Sequence, residues 1–283
     1  MSAVLPVVAD PGVLVRPRVQ ARASRTPGLA EGLSWARRAL APAGLIALWA
    51  ATTGAGLIDP SVLPSPAAVG ERLGELWAEQ QLLHQVAVSL SRAAAGGAIG
   101  AALGLLLGLG AGLSRLGEEV YDALLQMLRT VPFLALVPLF IVWFGIGETP
   151  KLLLIALATL FPMYLNTYAG VRNVDRKVIE AMRSFGLTGP KLIGQVVLPL
   201  ALPSILTGLR FALGVSVLVL IAAEQINTSA GLGYLLNAAQ LYQQVDVIVI
   251  CIAIYAVLGL SADLVVRGLE RVLMPWRAGV AAR

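Results

Sequence analysis

An all-helical membrane protein of about six transmembrane helices is the fold this sequence predicts, on three observations. The chain of 283 residues is 58% hydrophobic and only 13% charged, with mean hydropathy +0.81, whereas soluble domains carry about 25% charged residues. Its apolar residues gather into six runs, near residues 39 to 58, 86 to 112, 131 to 147, 151 to 170, 205 to 226 and 246 to 266, and a hydrocarbon layer of about 30 Å takes roughly 20 apolar residues per crossing. The Lys and Arg residues fall between those runs in an alternating pattern: 18 of the 21 lie before the first run, in 113–130, in 172–210 or from Arg267 onward.

Each run is expected to be a helix because lipid offers no water to satisfy backbone groups, and the ten-residue alternation of barrel strands is missing. The positive-inside rule then puts both termini in the cytoplasm, which requires an even number of spans. Residues 1–38 lack the basic-then-apolar layout of a signal peptide and read as a disordered cytoplasmic tail. Residues 39–270 form the transmembrane domain, and 271–283 a second cytoplasmic tail. The basic blocks form no aromatic-basic surface, so nucleic acid is not an expected partner; the lipid bilayer is. Cys251 is the only cysteine and His84 the only histidine, which leaves neither an intrachain disulfide nor a cysteine-based zinc site.

The second run carries Gly96, Gly100, Gly104, Gly108 and Gly112, a four-residue repeat of small side chains that admits a neighbouring backbone. At 3.6 residues per turn this stripe drifts about 40° per step, roughly 160° in all, so two neighbouring helices are expected to share it. In the third run Pro132 and Pro138 interrupt the helical ladder. Glu118 to Arg129 is expected to lie at the cytoplasmic interface as an amphipathic helix, with Arg129 reaching toward headgroups, before a short broken span; a substrate contact by Arg129 is the alternative.

The connection VRNVDRKVIEAMRSFGLTGPKLIGQVVLPLALPS, within 172–204, has clear punctuation. Val174, Val178, Ala181, Met182 and Phe185 share one helical face; Arg176, Lys177, Glu180 and Arg183 lie elsewhere. Gly186 marks a stop, Thr188 can cap a second helix, Pro190 suits its first turn, and Pro199 is expected to end it. A helix-turn-helix results.

The spacing of Glu180, Ala181, Gly186, Val196, Leu198 and Pro199 resembles the EAA loop of permease subunits of ATP-binding-cassette importers, with Met182 and Val196 as mild departures from its pattern. The segments LPSPAAV, QMLRTVPFLALVPLFIVWFGIG, LFPMYLNTYAGVRNVD and LPSILTGLRFALG extend the resemblance over about residues 60 to 277. They are similar to the aliphatic sulfonate permeases, beside the nitrate, bicarbonate and taurine permeases. The resemblance implies the type I importer fold in a bacterial inner membrane and a coupling helix that docks on an ATPase subunit. It implies as ATPase-coupling residues Glu180, Ala181, Met182, Arg183, Ser184, Phe185, Gly186, Leu187, Leu198 and Pro199. It further implies two ATPase copies that bind ATP and Mg, a second permease copy forming a homodimer, and an extracytoplasmic substrate-binding protein. The chain itself has no G-x-x-x-x-G-K-[ST] loop and is expected to be non-catalytic, with no cofactor of its own.

Glu224 stands near the outer end of the fifth run, where a carboxylate needs a partner or water; it is a candidate gate or pathway residue, or else a structural hydrogen-bond acceptor. Asp263 and Arg267, four apart, are expected to pair. His84 and Arg92 could greet an anion from outside. A secondary transporter is the rival reading, but the ion-coupling groups and inverted repeat it would need are not evident. An intramembrane enzyme would need a catalytic set that Glu224, Asp263, His84 and Cys251 do not supply.

Overall fold

The computed structural model describes residues 27–79, 81–225 and 228–277, with side chains from residue 40 to 276. Of the tails expected at 1–38 and 271–283, residues 1–26 and 278–283 lie outside the described residues, while 27–38 and 271–273 are helical. The chain forms two units divided after Trp49. The described part of the first is helix α1 (Pro27–Gly54), which continues five residues into the second and whose apolar stretch is Leu40–Gly54.

The second unit contains α2 (Pro66–Ala78), α3 (Gln81–Leu113), α4 (Arg115–Arg129), α5 (Phe133–Phe144), α6 (Glu148–Arg172), α7 (Arg176–Ser184), α8 (Gly189–Glu224), α9 (Leu232–Leu241) and α10 (Val245–Leu273). Four of these, α3, α6, α8 and α10, are long and apolar enough to cross a membrane, and α4 with α5 makes a fifth, bent by 89°. Every predicted run from residue 86 onward therefore falls on one of these spans or, for 131 to 147, on α5. Sequence signals mark the boundaries: Ser65 caps α2, accepting from Ala68 N at 3.2 Å ahead of Pro66, and Ser114 caps α4, accepting from Gly117 N at 2.9 Å.

The centre of the unit is α6, gripped by α3 on one side and α8 on another. All five α3 glycines face this one neighbour, which corrects the expectation of two. A Cβ at Gly96 would stand 2.8 Å from Ile155 Cβ, at Gly108 2.7 Å from Thr167 Cβ, and at Gly112 2.8 Å from Val171 Cβ. At Gly100 it would strike Thr159 Oγ1 and the Ala156 carbonyl, and at Gly104 the Leu160 carbonyl. The partners Ile155, Thr159, Met163, Thr167 and Val171 repeat every four residues as well. Two stripes that drift together stay in register if the helices wind around each other, and a repeat longer than 3.6 calls for a right-handed wrap. On the other side α6 and α8 run antiparallel, with Gly170 against Ser204 and Gly208 against Asn166.

The bend between α4 and α5 also differs from expectation. Rather than lying flat at an interface, α4 climbs α6: the hydroxyl of Tyr168 donates to Glu118 at 2.5 Å and that of Tyr164 to Asp122 at 3.0 Å, Arg172 pairs with Glu118, and Leu125 packs with Phe161 and Tyr164. These ties explain the difference. The polar face read as interfacial is consumed by α6, and α4 becomes one limb of the bent span. Removing the tie with Tyr168→Phe is expected to weaken the α4–α6 contact by about 1.5–3 kcal/mol, the usual contribution of a hydrogen bond to a charged group; thermal unfolding of the purified protein checks it.

Candidate functional site

The loop end of the bundle, where residues 172–200 emerge, carries the residues singled out by the sequence. Asp175 starts α7 by accepting from Lys177 N at 2.9 Å. The helix is fixed at its base, where Val174, 8% exposed, joins Val171, Val197 and Ala201 in one cluster flanked by Ile179. Val178 and Met182 are half-buried, whereas Ala181 is exposed and Phe185 is 81% exposed. The apolar face therefore turns inward at its base, and its tip is left uncovered by the described residues.

Glu180, Arg183 and Ser184 are exposed too, and Leu187 is half-buried. Glu180 has no ion pair with Arg176 or Arg183 among the described residues, so the simple intrahelical pairing does not occur. Gly186 follows with φ +86°, a left-handed conformation that side chains with a Cβ rarely adopt. The turn at the tip thus needs glycine for its backbone, and a Cβ there would meet nothing within 4 Å.

Beyond the turn, Thr188 stands at the expected cap position but its side chain makes no capping bond, and Pro190 occupies the first turn. Pro199 does not end the second helix. Residues Ile193–Val197 form one π-helical turn, with Leu198 N bonded to the Ile193 carbonyl, and the helix runs on to Glu224. A wider turn just ahead of a proline accommodates the missing N–H and the ring without a break. The predicted helix-turn-helix is therefore one short helix joined through a glycine turn to the end of a 36-residue span, with Leu198 and Pro199 in its shaft, not at its tip.

At the opposite end lies a charged cluster that sequence reasoning did not assemble. Glu224, 1% exposed, accepts from Arg92 Nη1 at 2.7 Å and Gly233 N at 2.9 Å, with Ser89 Oγ 2.7 Å from its Oε2 and Tyr255 OH at 3.4 Å. Arg92, 6% exposed, also holds Glu148 through Nε at 2.5 Å and Nη2 at 2.7 Å, and donates to the Ala230 carbonyl at 2.5 Å. Lys151 reaches Glu148 at 3.0 Å. Leu232 N donates to Ser89 Oγ at 2.7 Å, and Gly231 N to Gln85 Oε1. One arginine and one glutamate thus tie α3, α6 and α8 to the segment entering α9. Arg92 has four of its five N–H donors engaged and is itself buried, and Glu224 is an acceptor for loop backbone walled off from solvent. His84 is exposed and takes no part.

At the loop end Arg267 pairs with Asp263 at 2.6 Å as expected. Arg210, which the sequence had not linked to them, lies 3.2 Å from Asp263 and 2.9 Å from Glu270, tying α8 to α10.

Parallel and antiparallel spans sealed by glycine, with an uncovered helix tip at one end and a buried ionic cluster at the other, describe a multi-span helical membrane protein. Residues 100–274 match the model of the family described as "Binding-protein-dependent transport system inner membrane component", and the chain belongs to that family. It is 48% identical over 235 residues, 83% of this chain and 89% of the relative, to a protein of Escherichia coli (strain K12) named as an aliphatic sulfonates transport permease, SsuC. It is 42% identical over 261 residues, 92% of this chain and 95% of the relative, to a Bacillus subtilis (strain 168) protein of the same name. Among solved structures, the inward facing conformation of the MetNI methionine ABC transporter superposes with TM-score 0.55 at 19% identity, covering 68% of this chain and 97% of that one; this likeness concerns the fold, which is the type I importer fold.

Proposed function

We propose that this chain is the pathway-forming permease of an importer for small organic anions, with aliphatic sulfonates as its solutes. Of the 235 residues aligned with a permease named for that solute class, 48% are identical, over most of both chains. Nitrate, taurine and bicarbonate are the alternatives within the same group.

In this reading the loop end faces the cytoplasm, with both termini, because most of the Lys and Arg residues lie there. Two ATPase subunits bind ATP and Mg and dock on the tips of α7 in two permease copies, and a substrate-binding protein delivers solute from the far side. The observation that carries the docking role is the uncovered tip: Glu180 without an ion pair, Phe185 81% exposed, and Gly186 at φ +86°. An aromatic anchor in a cleft beside a charged contact is the usual composition of an energetic centre in an interface. Because the turn leads into α8 without a break, movement of the tip is transmitted to the whole span. Arg183, Ser184, Ala181, Met182 and Leu187 shape the tip, while Leu198 and Pro199 belong to the lever.

Copurification with the ATPase and ATP-dependent uptake of ethanesulfonate into proteoliposomes test the reading; uptake without an ATPase would refute it. Glu180→Lys and Gly186→Val are each expected to cut uptake at least tenfold and to abolish stimulation of ATP hydrolysis by the binding protein, with the amount of inserted permease unchanged. Uptake at the unmodified rate by both variants would remove the tip from the coupling path.

A further inference from the structure

The bend between α4 and α5 sets an exposed cation halfway along the spans with no ion pair among the described residues. Arg129 is the last residue of α4 and is exposed. Its depth follows from the residues four before and four after it. Leu125 packs in the cluster of Phe161 and Tyr164, and the ring of Phe133 stacks on Phe161 with centroids 5.8 Å apart. Phe161 lies halfway along α6, about 20 Å from its far end and about 16 Å from its loop end at 1.5 Å per residue. Arg129 is therefore near the centre of the apolar layer, and a side chain with a reach of about 7 Å does not bring its head to a surface about 15 Å away.

Most other cations of the spans are neutralised; Lys191 and Arg271, at the loop ends of α8 and α10, have no ion pair among the described residues. Arg92 and Lys151 pair with Glu148, Arg172 with Glu118, and Arg210 and Arg267 with Asp263. Arg129 has neither an ion pair nor a hydrogen bond to a side chain among the described residues. The carboxylates of its own helix are taken: Glu118 by Arg172 and Tyr168, Asp122 by Tyr164, and Glu119 lies 3.9 Å from Arg115. Around it Leu124, Met127 and Leu128 are exposed, so this face of α4 turns away from the chain's own core. A guanidinium at such depth does not face hydrocarbon; it faces a bundle interior or water.

We propose that Arg129 lines the water-filled translocation pathway and holds the anionic head of the solute midway across. This rests on the reading of the chain as an importer of organic anions. A guanidinium suits the task, since its planar fork donates two parallel hydrogen bonds to oxyanions such as a sulfonate and stays charged at every physiological pH.

The test uses the complete transporter, with its ATPase and binding protein, in proteoliposomes, and radiolabelled ethanesulfonate as solute. Arg129→Gln is expected to lower uptake at least tenfold, while assembly and binding-protein-stimulated ATP hydrolysis stay within twofold of the unmodified complex; Arg129→Lys keeps an intermediate rate. Separately, with the buried Cys251 replaced by alanine, the thiol of Arg129→Cys is expected to react with a charged, membrane-impermeant methanethiosulfonate, and ethanesulfonate slows that reaction. Unchanged uptake by Arg129→Gln, or a thiol that stays unreactive both without nucleotide and with ATP, overturns the proposal. Loss of the permease dimer in Arg129→Gln also overturns it, by assigning the arginine to an ion pair between copies. If the unmodified complex takes up no ethanesulfonate, the sulfonate reading fails, and the thiol reaction, which needs no solute, still decides whether Arg129 lines an aqueous pathway.

Discussion

Leucine in place of Gly100 is expected to leave almost no folded permease in the membrane. A Cβ at this position would overlap Thr159 Oγ1 and the carbonyl carbon and oxygen of Ala156, and backbone atoms inside a helix cannot rotate away. The helices would have to separate. They are held on either side at Gly96 and Gly104, and again at Gly108 and Gly112, where every added Cβ would also meet α6 closer than real side chains pack. Opening the seam at one point therefore forfeits dispersion contacts along most of it, and in a membrane those contacts, rather than the hydrophobic effect, hold helices together. Gly100→Ala already inserts the offending atom. Gly110→Ala, whose Cβ would find only Tyr121 at 3.7 Å, and Gly74→Ala, with nothing within 4 Å, are the matched controls. The amount of monodisperse protein extracted from membranes reads the result; a normal yield of Gly100→Leu would mean that α3 and α6 do not touch there.

Glu224→Ala is expected to be nearly as damaging, for an electrostatic reason. The change leaves Arg92, 6% exposed, with Glu148 at the edge of the cluster as its remaining ion-pair partner, and strips the acceptor from Gly233 N. Breaking one side of a buried ion pair typically destabilises by about 3–5 kcal/mol, because the remaining charge stays desolvated. Arg92→Met should damage the protein comparably, and the double variant Arg92→Met/Glu224→Met should recover much of the loss, since apolar groups of similar size often replace a buried pair without penalty. Thermal unfolding of the four forms gives the coupling directly. Additive losses in the double variant would show that the two residues act independently. Residues Ala230 to Leu232 are the part expected to loosen first, as they hang on the Ala230 carbonyl and the Gly231 and Leu232 amides.

The two sites were not equally legible. The loop of residues 172–204 could be read in part because turns are local: Gly186 supplies a left-handed φ and Pro190 opens a helix, each acting on its immediate neighbours, whereas Thr188, the expected cap, makes no capping bond. The reading erred at Pro199, where helix continuity depends on a π turn that no single residue announces. It erred also on the apolar face of α7, where Ile179 rather than Ala181 and Phe185 turns toward the body. The far-end lock was beyond reach. Arg92 and Glu224 are separated by 132 residues, and a lone charge in an apolar run signals only that it must find some partner.

Membrane residence, the helical class and the places of the spans were settled by composition and run length alone, because lipid punishes every unsatisfied backbone group and leaves one solution for each long apolar run. Pairing was decided only in three dimensions. The stripe of five glycines declares that a neighbour comes close, but that α6 takes all five depends on a matching four-residue repeat in another helix. Likewise the acidic face of α4 reads as water-seeking until Tyr164, Tyr168 and Arg172 are set beside it. Short-range chemistry is written in neighbouring residues; a packed interface is a property of two surfaces, and neither sequence segment contains the other.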